Sequence, residues 1–231
     1  MISVKRTKQP NRPTRREQAR STRLRIVRAA HAVFVDRGYG GARMTDIAEA
    51  AGVAVQTVYF TFHTKGELLQ ACYEAAVLGE EEPSIPVEQP WYAAMLAAED
   101  GSAMLREFAV GNSGIATRVA GLDEVIHATR HEPDAVAVRQ RSEVLRREGY
   151  AQVITRLDSR FGLRPDLAQA TATDLLLLFG GAAVYRELVV DLGWEHDDFA
   201  AWLHTTLVAQ LLGRRDGRCS DRRLGSPGRQ G

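Results

Sequence analysis

The chain has 231 residues, 45% hydrophobic and 26% charged, with a net charge of +1; the length suits one small and one larger domain, and the composition excludes a disordered or fibrous chain. It has no uninterrupted apolar run of about 18 residues to cross a membrane and no apolar run of a secretory signal near its N-terminus. Cys72 and Cys219 are too few for a disulfide framework or a zinc motif, so a cytoplasmic protein with no membrane partner, cofactor or metal is expected.

Residues 1–28 hold ten Lys or Arg against Glu17 alone, and residues 213–231 hold six Arg against Asp216 and Asp221. The segment between them has 14 basic and 26 acidic residues. A basic end ahead of an acidic body suits a protein that meets a polyanion with one end, although a merely solvated arm has the same composition. Residues 1–19, with Pro10 and Pro13 among polar and basic residues, read as a flexible basic arm. A helix is predicted from near Arg20, because Ile26, Ala29, Ala30, Val33 and Phe34 recur at helical spacing. Gly38-Tyr39-Gly40-Gly41 should stop it. Short helices over 44–51 and 55–62 flank Gly52, and Thr64 with Glu67 reads as a capping box opening a helix that carries Leu68, Leu69, Cys72, Tyr73 and Ala76.

Pro83, Pro86 and Pro90 mark a boundary between a domain over 20–81 and a larger one over 90–212. The larger domain shows helical spacing throughout, with breaks predicted near Gly101, between Gly111 and Gly114, at Pro133, over 162–165 and at Gly193. Residues 175–179 are apolar on every side, which places them in the core or against a partner chain. Phe199, Trp202, Leu203, Thr206, Leu207, Gln210 and Leu211 keep one stripe through the last helix, and residues 213–231 read as a disordered basic tail. The fold class is all-α.

The segment from Asp46 to Tyr59 carries the functional information. A helix-turn-helix needs a small residue where its helices touch, a residue tolerant of positive φ four positions later, and a branched apolar residue six beyond that. Ala48, Gly52 and Val58 meet these demands, with Ile47 and Val53 as further anchors. The second helix would enter the major groove by its N-terminal end, bringing Ala54, Val55, Gln56 and Thr57 nearest the bases. Gln56 can pair with the adenine edge, whereas Val55 can touch only a thymine methyl. Arg43 and Thr45 stand at the start of the preceding helix. His63 can donate to a phosphate when protonated, or be an ordinary exposed histidine.

At Gly38-Tyr39, Ile47-Ala48, Ala51-Gly52-Val53, Thr57-Val58-Tyr59, Phe62 and Lys65, over about residues 20–80, the chain resembles the TetR family of bacterial regulators. Beyond residue 80 the resemblance is limited to helical content, length and the stretch from Val184 to Trp194. It implies an N-terminal three-helix helix-turn-helix DNA-binding domain followed by a larger helical ligand-binding and dimerisation domain. Tyr59 and Lys65 sit where family members hold phosphates, although Tyr59 also suits packing. Two departures stand out. Arg43 replaces the usual Ser or Thr before the second helix, and Ala54 replaces the usual Ser before the recognition helix; each loses a capping hydroxyl worth about 1 kcal/mol.

A helix-turn-helix this small reads few base pairs, so a homodimer on a pseudo-palindromic DNA operator is expected. By resemblance its interface would be built from helices over 166–190 and 197–212, with Leu175, Leu178, Phe179, Trp202, Leu203 and Thr206 as candidates. A small-molecule effector is implied, with Trp91, Tyr92, Met95, Phe108, Asn112, His127 and Phe179 as candidate pocket residues that equally suit ordinary core. Family habit favours a repressor. Asp123, His127 and His131 share a helical spacing that suits metal ligands, but a histidine near a helix end is as easily explained by the dipole, and no metal is assigned. No nucleophile elbow, phosphate-binding loop or catalytic histidine pair appears, so no enzyme is expected. The competing reading is a nonspecific or architectural nucleic-acid-binding protein driven by the arm.

Overall fold

The computed structural model describes residues 14–79, 85–129 and 131–213. Most of the basic arm and all but the first residue of the tail lie outside these residues. Among the described residues every regular element is helical.

Helix α1 (Arg15–Gly41) begins at Arg15 rather than near Arg20. The reason is a capping box that spacing alone left unnoticed: Thr14 Oγ1 accepts from the Glu17 amide at 3.2 Å, and Glu17 Oε2 accepts from the Thr14 amide at 2.6 Å. These bonds hold the Glu17 carboxyl below its ordinary range. Gly38 leaves the helix at φ 67°, as the glycine cluster predicts.

Helices α2 (Met44–Ala51) and α3 (Val55–Thr61) follow, joined through Gly52 in the left-handed region at φ 63°. Helix α4 (Lys65–Leu78) has Thr64 as its cap, accepting from the Glu67 amide at 3.0 Å. Only half of the predicted box forms, since Glu67 Oε2 accepts from the His63 amide at 3.0 Å.

A short 3-10 turn (Pro86–Glu88) leads to α5 (Pro90–Ala97), and α6 (Gly101–Ala128) starts behind Asp100, whose side chain accepts from the Ala103 amide. At 1.5 Å per residue α6 is about 42 Å long. The break predicted between Gly111 and Gly114 does not occur. Gly111 serves a close approach instead, because a Cβ there would lie 2.0 Å from Cδ2 of Trp91.

Helix α7 (Pro133–Phe161) opens on a proline, which lacks only an N–H that the first turn would leave unpaired. The helix expected over 166–190 is divided. Helix α8 (Gln169–Phe179) stops at Gly180-Gly181, and α9 (Ala182–Tyr185) runs into a π-helical turn (Arg186–Asp191). Buried Asn112 stabilises the break by donating to the Gly180 carbonyl at 2.9 Å while accepting from the Tyr150 hydroxyl. Helix α10 (His196–Leu211) completes the fold.

Two apolar clusters organise these helices. The first joins α1–α4 to Val119, Leu122, Val125 and Ile126 of α6 and to Ala135 and Val138 of α7. The second packs α5, the first half of α6, the end of α7, α8 and α10 together. Helix α6 therefore belongs to both cores.

Candidate nucleic-acid interface

The site is built from the turn outward. Ile47, Ala48 and Val58 are buried, and the Val53 amide donates to the Ala48 carbonyl at 3.0 Å, so α2 and α3 are locked at the spacing the sequence predicts. Val55, expected among the base contacts, is half-buried and packs with Val53 against the first core. Arg25 reaches the Gly52 carbonyl at 3.3 Å, and Arg37 pairs with Asp46 at 2.7 Å, fastening α1 to the turn and to α2. The Arg23 guanidinium lies 4.2 Å from the Phe62 ring centroid. These basic side chains thus hold the scaffold together.

Arg43, Thr45, Ala54, Gln56, Tyr59 and His63 are exposed, and Thr57 is half-buried. Neither Arg43 nor Ala54 makes a side-chain cap, consistent with their chemistry. Lys65 is placed differently from the rest. Its ammonium donates to the Tyr39 carbonyl at 2.7 Å and to Ala42 at 3.4 Å, and sits 4.2 Å from the Tyr39 ring centroid, closing the C-terminal end of α1. Two of its three donors are engaged there.

Phe60 was missed by sequence reasoning. It is 85% exposed, beside Tyr59 at 51%. The available signal was its phase: Val55, Val58 and Phe62 form the inward stripe of α3, and Phe60 falls outside it, four residues after Gln56.

The helix-turn-helix is tied to the rest of the chain at both ends of α4. Gly66, in its first turn, packs on Asp134 of α7, and at its other end the Arg118 guanidinium donates to the Ala76 carbonyl at 2.7 Å and to Val77 at 3.3 Å.

Of the candidate pocket residues, Tyr92, Met95, Phe108 and Asn112 are buried in or beside the second core, Trp91 packs on Gly111, and Phe179 meets Trp202 edge-on at 6.2 Å. His127 lies elsewhere, lining a cavity between α4, α6, α7, α8 and α9. Its Nδ1 donates to the Asp123 carbonyl at 2.8 Å. Among the described residues no three His, Cys, Asp or Glu side chains converge as a metal-binding group.

Of the candidate interface residues, Leu175, Phe179, Trp202 and Thr206 are half-buried and Leu178 is 58% exposed, so the run over 175–179 is not wholly enclosed within one chain. Leu203 is fully buried and supports α10 from inside. Val190, Leu192 and Trp194, which sequence reasoning did not select, are exposed.

Residues 26–72 match the family described as "Bacterial regulatory proteins, tetR family". The chain is 40% identical over 60 residues to the HTH-type transcriptional regulator TtgR of Pseudomonas putida, covering 26% of this chain and 29% of TtgR. It is 37% identical over 86 residues to the HTH-type transcriptional regulator SrpR of Pseudomonas putida, covering 36% and 40%. The aligned stretches thus span less than half the length of either relative. Among solved structures, NalD of Pseudomonas aeruginosa, described as the secondary repressor of the MexAB-OprM multidrug efflux pump, aligns with a TM-score of 0.63 at 17% identity over 86% of this chain and 99% of that one. A putative transcriptional regulator from Saccharomonospora viridis in complex with choline aligns with a TM-score of 0.62 at 16% identity over 84% and 100%. These likenesses establish the all-α fold with an N-terminal helix-turn-helix domain and a larger helical domain. Residues 26–72 thus carry the helix-turn-helix sequence of the tetR family of bacterial regulatory proteins, and the described residues share the fold of the solved regulators.

Proposed function

We propose that this chain is a ligand-responsive repressor that acts in the cytoplasm as a homodimer on a pseudo-palindromic operator. The observation that carries the reading is the outer face of α3. Gln56, Tyr59 and Phe60 stand exposed on a short helix whose angle is set by the buried side chains of Ala48 and Val58 across the left-handed turn at Gly52. Gln56 would read an adenine edge, Phe60 would pack on a thymine methyl, and Arg43, Thr45, Thr57, Tyr59 and His63 would hold the flanking backbone. Lys65 contributes chiefly by fixing the end of α1, with its remaining N–H directed to a phosphate. The arm adds salt-dependent affinity.

Exposed Leu178, Val190, Leu192 and Trp194 support a partner chain on α8, the π-helical turn and the approach to α10. Two recognition helices would then meet half-sites about 34 Å apart. The binding of choline by a protein of the same fold supports a small organic effector. Such a ligand changes operator affinity only through its different affinity for the two conformations.

The test is selection of bound duplexes from a random DNA library with the full-length protein and with Gln56→Ala. Enrichment of a pseudo-palindrome that Gln56→Ala loses supports the reading. Binding that ignores sequence and survives the substitution overturns it in favour of an arm-driven nonspecific binder.

A further inference from the structure

The cavity between α4, α6, α7, α8 and α9 has a volume of about 180 Å³. That is below the ~300 Å³ at which drug-sized sites begin, so its ligand is small. Ile126, Leu177, Leu178 and Val184 form its apolar lining. Four of its charged or titratable groups are paired: Asp123 Oδ2 lies 3.4 Å from His127 Nδ1, and Glu143 lies 3.9 Å from Arg139. Arg146 also lines the cavity but has no hydrogen bond or ion pair to any described residue. Its Nη1 comes within 3.7 Å of where a side chain at Gly181 would begin, so the glycine leaves room for the guanidinium beside the break between α8 and α9.

A guanidinium drawn partly out of water keeps five donors and a planar fork that matches a carboxylate. Tyr73, from α4, offers a second donor, and burial keeps its hydroxyl protonated. Asp123 is the weaker anchor for an opposite charge, because it already has His127 beside it and burial, outweighing the pull of His127 and Arg146, favours its neutral form.

We propose that this cavity binds a small carboxylate with an apolar, ring-sized body, the anion pairing with Arg146 and the body packing on Ile126, Leu177, Leu178 and Val184. The ligand touches α4, which anchors the helix-turn-helix, and the helix break that leads to the exposed apolar face. Its consequence, release of the operator, rests on the regulator reading; the binding itself does not.

The test is titration calorimetry of the full-length protein, without DNA, against benzoate, phenylacetate, cyclohexanecarboxylate and hexanoate, with benzamide and benzylamine as neutral and cationic counterparts. At least one carboxylate should bind, benzamide should bind about tenfold or more weakly than benzoate, and Arg146→Gln should remove a similar factor. Arg146→Lys, which keeps the charge without the fork, should fall between. Arg147→Gln, at a residue paired with Asp174 outside the cavity, should bind as the parent does. The proposal is overturned if none of the carboxylates binds, if benzamide equals benzoate, if benzylamine is preferred, or if both Arg146 variants bind normally. The operator selection needs no ligand and the calorimetry needs no DNA, so the two readings fail separately.

Discussion

The Tyr39 hydroxyl donates a 2.7 Å hydrogen bond to Asp134 Oδ2, joining the last turn of α1 to the first turn of α7. Gly66 of α4 packs against the same carboxylate, and a Cβ on it would fall 2.5 Å from Cγ of Asp134. Three elements thus meet at one negative charge at a helix N-terminus, where the macrodipole favours it. Burial, and then the bond to Asp134, push the Tyr39 hydroxyl well above its ordinary value.

Tyr39→Phe removes the donor, while the exposed Asp134 carboxylate can turn to water. We expect a loss of about 0.5–1.5 kcal/mol in urea unfolding, with helical content unchanged. Gly66→Ala should do at least as much harm, because Asp134 must move and break the same bond. Gly40→Ala, with no atom within 4 Å of its Cβ position, should be tolerated. Equal stability of the Gly66 and Gly40 variants would show that the junction relaxes freely.

Phe60 can be removed without disturbing the core, since its side chain is almost wholly in solvent. Phe60→Ala should leave the melting temperature unchanged while weakening operator binding. Gln56→Ala should cost about 1–3 kcal/mol per half-site at the adenine it reads and relax specificity there. Fluorescence anisotropy at fixed salt measures both, and unchanged affinity for both variants would exclude α3 as the reading element.

Leu178→Glu places a charge on the proposed partner face, at a side chain that is exposed and outside both buried clusters. Sedimentation velocity should show a dimer for the parent and a monomer for the variant, with α-helical content retained. A dimer that survives would put the interface elsewhere.

Tyr150 is half-buried, yet its hydroxyl bonds to Asn112, and burial pushes it up to about 12. The folded chain therefore holds this proton where the unfolded chain, at about 10, releases it. The associated stability is fully present below pH 10 and is lost as pH rises toward 12, with a slope of about 1.4 kcal/mol per pH unit. Tyr150→Phe should lower stability at pH 8 and flatten the alkaline decline by that slope. Parallel declines for the two proteins would refute the assignment.

Much of the helix-turn-helix was legible because its determinants are local. Ala48, Gly52 and Val58 lie within eleven residues, and the steric demands of a tight turn between two helices admit few alternatives. Thr64 was read as a helix start for the same reason, and Pro133, read as a break, falls where α7 begins. Gly111 misled because glycine is a poor helix former, whereas here the Trp91 ring, from another helix, occupies the space a side chain would need.

The sequence by itself determined the all-α class and the helix-turn-helix with its family likeness, since each depends on spacing within a few turns of one helix or across one loop. Only the tertiary structure decided the rest. It turned Lys65 onto the end of α1, enclosed Leu203 while leaving Leu178 and Phe60 in solvent, divided the penultimate helix over buried Asn112, and left Arg146 without a hydrogen-bond partner among the described residues beside a cavity. In each case the deciding neighbour comes from another helix or from the exposed face the fold leaves open. Helical periodicity specifies which side of a helix is apolar, not which partner will cover it.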